Sequence, residues 1–354
     1  MSKKKILIVV GNRPQYIKAG IIFYYLKKSK KYNVDIIDTN QHYDKNLSNY
    51  FFKNFKYKPK YNLNIGSHSN EIAISKIIQA FSNFIEKNKY DIIIILGDTN
   101  STAATAICSR HKNLTLIHIE AGERTYDKQD APEEINRLIS DQCSDLLFTC
   151  SKDAKVNLLK EGYHSKNIKF IGDPMLDLFK YFSKKLLNKN RIYDFEYIYA
   201  TLHRKENTKP KVLFKLLNLL DNHELKVILP THPRTKKILK EHNWKPEKNL
   251  ILIDPVDYIT SIKLLLDCNL VFTDSGGLKR EAFFAKKLSI SPQSGMPLWP
   301  ETVRSGWNKT FVPKDINKIK KYLNHFPRPK NHSLKSFGNG KSCQKLVEYI
   351  NQYI

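Results

Sequence analysis

Residues 90–98 read YDIIIILGD: five consecutive apolar side chains, then a glycine and an acid. A strand with one wet face alternates apolar and polar residues, whereas this run buries both faces, as strands do in a parallel sheet covered by helices on each side. The pattern recurs in KILIVVG (5–11), VDIIDT (34–39), LTLIHIEAG (114–122), DLLFTC (145–150) and IKFIGD (168–173). Between these runs, segments such as IKAGIIFYYLKKS (17–29) and EIAISKIIQAFSNFIEK (71–87) space apolar residues three and four apart, the period of an amphipathic helix. After GDPMLDLFKYFSKKLLNKN (172–190) the series restarts with YIYATLH (197–203), LKVILPTH (225–232), LILIDPV (250–256), LVFTDSGG (270–277), LSISP (288–292) and KTFVP (309–313). The sequence therefore predicts an α/β protein with two Rossmann-like doubly wound domains in tandem, and a length of 354 residues suits two hydrophobic cores. We place the domains at 1–172 and 173–340, with a final helix, 341–354, returning to the first.

Composition narrows the function. The chain has no run of about 18 apolar residues, so a membrane span is not expected. Its start, MSKKKILIVVGN, has a basic flank but no small-residue cleavage site, and reads as a buried first strand. Five scattered cysteines without CxxC spacing suit a reducing cytoplasm better than a disulfide framework or a zinc site. The net charge of +26 could advertise nucleic acid. Here the lysines are spread along the chain among abundant asparagine, isoleucine and tyrosine, the residues of A/T-rich codons, so no nucleic-acid partner is expected.

Doubly wound sheets bind ligands beyond the carboxyl ends of their strands. The unusual polar clusters all fall there: GNRPQYIK (11–18), GDTNST (97–102), EAGERT (120–125), HRKEN (203–207), THPRT (231–235) and DSGGLKREA (274–282). Two domains aiming these ends at a common cleft would gather all six. In the last cluster two glycines separate strand from helix, where backbone can approach a ligand and first-turn N–H groups point at it, so a phosphate fits. A plain tight turn gives the same letters. Glu281, one turn on, suits ribose hydroxyls or simply the helix N-terminus. Arg13 and Lys18 could clamp phosphate or sugar oxygens, or form a solvated basic loop. Asp98, Glu120 and Glu133 end strands or follow them, rimmed by Arg13, Lys18, Arg137 and His203. Carboxylates gathered in this way have their pKa values pushed apart by repulsion, burial and neighbouring cations, as acid/base catalysis requires. As a lone histidine His203 would be structural; beside a leaving phosphate it could protonate or polarise an oxygen. No Walker lysine, Ser/His/Asp order or metal-ligand spacing stands out.

Taken in order, GNRPQYIK, NQHYD, GDTNSTAATA, HIEAGERT, PEEINR, TLHRKEN, THPRT, DSGGLKREAFF and ETVRSGWN resemble the blocks of the non-hydrolysing UDP-N-acetylglucosamine 2-epimerases, from residue 11 to about 308. The resemblance implies a glycosyltransferase-B arrangement with the nucleotide in the cleft, held mainly by the second domain. It implies inversion at C2 through loss of UDP to a 2-acetamidoglucal and re-addition, in the cytoplasm and for surface polysaccharide. Asp98, Glu120, Glu133 and His203 match the catalytic positions. Arg13, Lys18, Arg137, His232, Ser275, Gly276, Gly277 and Glu281 match the substrate and UDP contacts, and Asp127, Asp130 and Glu134 would be support or surface. Gln41 and His42 lie in the block that holds a regulatory UDP-sugar site in some members. The partner implied is a UDP-sugar, the assembly a homodimer, and no metal or redox cofactor is called for. Gln15 stands where most members have glutamate; a subgroup acting on UDP-2,3-diacetamido-2,3-dideoxy-glucuronic acid is similar there. The family's RD.TE loop is replaced by PQSGMPLWPETV (292–303), with Ser294, Gly295, Met296 and Pro297 where an arginine and acids are expected. That change points to a different sugar or to weakened activity. Glycosyl transfer, UDP-sugar hydrolysis and an inactive binding protein are the competing readings on this fold.

Overall fold

The structure, a computed structural model, describes residues 3–40, 57–128 and 132–353. The chain forms two compact units, Met1–Leu178 with Lys335–Ile354, and Phe179–Leu334. The passage between them falls a few residues beyond the sequence-based boundary of 172, and the return begins at 335 instead of 341.

In the first unit the strands are β1 (Lys4–Val10), β2 (Tyr32–Asp38), β3 (Tyr61–Asn62), β4 (Ile92–Leu96), β5 (Thr115–Ile119), β6 (Leu146–Thr149) and β7 (Ile168–Phe170). They form one sheet in the order β3-β2-β1-β4-β5-β6-β7, with every pairing parallel. The helices are α1 (Arg13–Lys28), α2 (Asn70–Lys87), α3 (Asn100–His111), α4 (Pro132–Cys143), α5 (Lys152–Lys160) and α6 (Pro174–Leu186), the last running on into the second unit. Every residue of β4 is buried, which is the double coverage that its unbroken apolar run requires. On α2 the buried residues are Ala73, Ile77, Phe81 and Ile85, one stripe at a four-residue period. The two-residue β3 carries no periodicity, and the sequence reading missed it.

The second unit repeats the plan with β8 (Tyr197–Thr201), α7 (Pro210–Asp221), β9 (Lys226–Pro230), α8 (Pro233–Glu241), β10 (Leu250–Ile253), α9 (Tyr258–Asp267), β11 (Leu270–Thr273), α10 (Gly276–Phe284), β12 (Leu288–Pro292), α11 (Pro300–Arg304), β13 (Asn308–Phe311) and α12 (Ile316–Asn324). Its six parallel strands are ordered β10-β9-β8-β11-β12-β13. α13 (Ser342–Tyr353) belongs to the first unit, where the Asp177 carboxylate accepts hydrogen bonds from Ser342 N (3.0 Å) and Cys343 N (2.9 Å) at its start.

Strand order reverses between β1 and β4 in one sheet and between β8 and β11 in the other. At such a switch point the loops after the two strands lead to opposite faces and leave a crevice for a ligand. Among the described residues no helix is long and apolar enough to cross a membrane.

Candidate active site

Asn12 caps α1, its side chain accepting from Gln15 N at 3.2 Å, and Pro14 sits in the first turn, where no N–H is missed. Gln15 is buried and joins the two switch-point loops. Its Oε1 accepts from Gly11 N (2.8 Å), and its Nε2 donates to Leu96 O (2.7 Å), Thr99 Oγ1 and Thr102 Oγ1 (3.0 Å each). A carboxylate could not donate to the Leu96 carbonyl, so this departure from the family pattern belongs to the scaffold of the loop.

Lys18, one turn further along α1, is buried with its Nζ paired to Glu120 Oε2. Glu120 follows β5 with φ +72°, a left-handed backbone that costs a non-glycine residue of order 1–3 kcal/mol. The conformation is held by Glu120 N and Ala121 N, which both donate to Phe148 O (3.1 and 3.3 Å). One oxygen of Glu120, one of Asp173 and the Cys150 sulfur, all buried, lie within 4.8 Å of one another. Among the described residues the Lys18 ammonium pairs with Glu120.

Asp98 follows β4, next to β5 in the sheet, and its side chain is 30% exposed. The Arg137 guanidinium on α4 bonds Asp98 Oδ2 with one nitrogen and Glu134 Oε2 with the other, the latter at 2.8 Å. Burial opposes the charge on Arg137, but Asp98 and Glu134 outweigh it and raise its pKa. Glu134 is buried, accepts from the Thr125 and Tyr126 backbone (2.9 and 3.1 Å), and thus supports the segment after β5. Glu133 is exposed on the first turn of α4. The structure therefore brings Lys18 to Glu120 and Arg137 to Asp98, and leaves Glu133 facing solvent. Arg13 opens α1; Gln41, His42 and Asp130 lie outside the described residues.

Sequence reasoning missed Asp141. Its Oδ1 meets His118 Nδ1 at 2.6 Å, while His118 Nε2 meets Gly97 O at 2.7 Å; both partners are acceptors, so each ring nitrogen donates. Asp141 Oδ2 accepts from Gly122 N (3.1 Å) and pairs with Arg124 (2.7 Å). Burial pushes this carboxyl up, but His118 and Arg124 more than offset it and hold it below the usual carboxylate range. One side chain on α4 therefore braces the turn before Asp98 and the loop carrying Glu120. Only the spacing of charged residues along α4 hinted at it.

In the second unit Asp274 plays the corresponding part at the β8/β11 switch point. It is buried, accepts from His203 N (2.9 Å), Arg204 N (2.9 Å) and Asn207 Nδ2 (2.9 Å), and lies 3.0 Å from His203 Nδ1. Burial raises its pKa and the His203 contact leads the groups that bring it below the ordinary range. The His203 side chain is 47% exposed, held on one side and open on the other. His232 follows β9 and is exposed. Ser275 caps α10, its Oγ accepting from Leu278 N at 3.3 Å. Gly276 and Gly277 form the first turn; a Cβ at Gly276 would meet no atom outside that turn nearer than 3.7 Å. Glu281 is buried on the same helix.

Beside the loop after β12, where the resemblance leads one to expect an arginine, α10 places a buried lysine. Lys279 is 1% exposed, donates to Gln293 Oε1 over 3.4 Å, and has no carboxylate partner among the described residues. Burial and then Arg204 push its pKa down to about 7. Arg280 lies 3.9 Å over the Trp299 ring.

Two parallel α/β sheets in tandem, with acids at the strand ends of one and a glycine turn opening a helix in the other, define a two-domain enzyme of the glycosyltransferase-B fold class. Residues 25–351 match the family described as UDP-N-acetylglucosamine 2-epimerase. A UDP-N-acetylglucosamine 2-epimerase homolog of Methanococcus maripaludis is 36% identical over 98% of this chain and 99% of its own. The UDP-2,3-diacetamido-2,3-dideoxy-D-glucuronate 2-epimerase of Pseudomonas aeruginosa is 32% identical over 98% and 99%. The crystal structure of Methanocaldococcus jannaschii UDP-GlcNAc 2-epimerase in complex with UDP-GlcNAc and UDP superposes with a TM-score of 0.89 at 32% identity, covering 98% of this chain and 99% of that one. The chain belongs to the UDP-N-acetylglucosamine 2-epimerase family, whose members are isomerases.

Proposed function

We propose that the protein inverts C2 of a UDP-N-acetylamino sugar, UDP-GlcNAc/UDP-ManNAc or its 2,3-diacetamido-glucuronate analogue, by eliminating and re-adding UDP. The observation that carries this reading is the pair Asp98 and Glu120, which follow neighbouring strands β4 and β5, each matched to its own buried cation. In the first half, a carboxylate takes the C2 proton, the C–H electron pair becomes the C1–C2 double bond, and the C1–O pair leaves with UDP. In the second, UDP oxygen adds back to C1 while another acid delivers a proton to the opposite face of C2. Two faces need two acids, and Arg137 and Lys18 keep both in position. Glu133, exposed on the first turn of the helix that carries Arg137, would be the third acid that the resemblance implies. The Ser275–Gly277 turn would hold the diphosphate on N–H groups of α10, with Glu281 at the ribose, while Lys279, Arg204, Arg13 and His232 supply charge for anionic oxygens. His203, oriented by Asp274, would protonate or polarise the leaving oxygen. The product would feed surface polysaccharide synthesis, and the enzyme would work as a homodimer in the cytoplasm.

Asp98→Asn and Glu120→Gln are expected to abolish hydrogen exchange at C2 of a UDP-sugar while UDP binding, measured calorimetrically, changes little. Turnover at the parent rate in either variant removes that residue from its role. A panel of UDP-sugars followed by NMR then identifies the sugar.

A further inference from the structure

Gln15, on the first turn of α1, is only 2% exposed, which leaves almost no surface for a ligand, yet its amide reaches both sides of Asp98. Its Nε2 donates to Leu96 O (2.7 Å), two residues before the acid, and to Thr99 Oγ1 (3.0 Å), one residue after it. Thr102 Oγ1, at the start of α3, is a third acceptor at 3.0 Å. Oε1 accepts from Gly11 N (2.8 Å), and because a backbone N–H only donates, this bond fixes which way the amide faces. Further anchors hold the same turn from β5 and α4: Gly97 N donates to Ile119 O (2.9 Å), His118 Nε2 donates to Gly97 O (2.7 Å), and Asn136 Nδ2 donates to Asp98 O (3.0 Å). The packing has no slack, since a Cβ at Gly11 would stand 2.1 Å from Ser101 Oγ and 2.4 Å from Thr39 Oγ1. The polarity of these bonds runs one way. Thr102 Oγ1 donates to Leu96 O (2.8 Å), so toward Gln15 it accepts. A carboxylate at this position would meet both oxygens with acceptors alone, whereas an amide serves at any pH. The charged groups of the surrounding elements have partners of their own: Lys18 of α1 with Glu120, Asp98 with Arg137 of α4, and Asp38 at the end of β2 with the Tyr16 hydroxyl (2.8 Å).

We propose that Gln15 is a positioning residue for the reaction: its uncharged amide holds Asp98 where that carboxylate exchanges a proton with C2, and it takes no part in choosing the sugar. The idea rests on the role of Asp98 proposed above. Gln15 makes no bond to substrate and moves no proton. A displacement of about 1 Å at a reacting group costs about 100-fold in rate, so loss of this anchor belongs in kcat and not in KM.

The test is the pH profile of Gln15→Glu. The introduced carboxyl needs its proton in order to donate to Leu96 O, and burial raises its pKa above the ordinary carboxylate value. Its kcat relative to the parent is therefore expected to be close to one at about pH 6 and to fall about tenfold or more by about pH 9, with KM for the UDP-sugar within about twofold. The preference between UDP-GlcNAc and the diacetamido-glucuronate analogue should not change. Gln15→Met keeps the length and removes every hydrogen bond, so it should lower kcat by a factor that does not vary with pH. Circular dichroism at each pH checks that both variants are folded, and if Gln15→Glu unfolds at the upper end, Gln15→Met decides. A relative kcat of folded Gln15→Glu that stays level over this range overturns the proposal, as does parent kcat in folded Gln15→Met, a loss confined to KM, or an altered sugar preference. Should Asp98→Asn retain C2 exchange, the role of Asp98 fails first. An inactive Asp98→Asn beside a level Gln15→Glu profile refutes the positioning role alone.

Discussion

Lys279 is charged against its surroundings: buried, close to Arg204, and held by one long hydrogen bond to Gln293. Its pKa of about 7 in the folded chain lies below the ordinary 10.5, so between those values the unfolded chain binds a proton that the native chain has released. Stability therefore rises with pH across that window. Lys279→Met is expected to raise Tm by several degrees at pH 7 and by much less near pH 10; an equal gain at both would show that packing, and not charge, is responsible. An anion placed beside Lys279 would reverse the shift. UDP binding between those pH values should then take up a proton, visible as a buffer-dependent binding enthalpy. The sequence could not reveal this. Lysine is abundant throughout, and nothing in DSGGLKREA marks residue 279 as the buried one. Gln15 was visible as a departure but not as a stitch, because its partners Leu96, Thr99 and Thr102 come from a distant part of the chain.

The elements were far more legible. A strand covered on both faces must be apolar at every position, so β1, β4 and β5 declare themselves, whereas β3 has two residues and no pattern to read. The acids at the ends of β4 and β5 were readable for the same reason, as polar interruptions of apolar runs. Their braces were not: α4 presents Glu133, Glu134, Arg137 and Asp141 within a few turns, and only the packing shows that the first faces solvent while the others face inward. Asp141 ties α4 to β5 and to the turn after β4, so it matters to the whole first unit. Asp141→Ala leaves His118 and Arg124 without their shared carboxylate, and a loss of about 3–5 kcal/mol in urea unfolding at pH 7 is expected. Since the folded carboxyl lies below its ordinary 3.8, the stability it contributes is present above that pH and lost as pH falls through the folded value. The difference between parent and variant should accordingly shrink below about pH 4; a constant difference would trace the loss to packing.

At the scale of the molecule, the division into two α/β units followed from the restart of the strand series, and the final helix was expected back in the first unit, but the residues at which the chain crosses were not legible. It leaves the first unit within α6 and returns at 335, where Gly172, at φ +88°, lies so close to Phe337 O that a Cβ would stand 2.9 Å from it. Close approach of two backbones explains the glycine, yet the sequence shows no trace of its distant partner. The net charge of +26 finds no concentrated purpose in the sequence, whereas three of the buried cations among the described residues, Lys18, Arg137 and Lys279, stand in the strand-end clusters or against their acids. All of this serves one claim, that acids after β4 and β5 move a proton on and off C2 of a UDP-linked sugar. Incubating UDP-GlcNAc and the diacetamido-glucuronate analogue separately with the protein in deuterated water, and reading each sugar by NMR, tests it directly. Deuterium at C2 in recovered, intact UDP-sugar of both C2 configurations is the predicted result; free sugar without recovered UDP-sugar, or no exchange in either substrate, would contradict it.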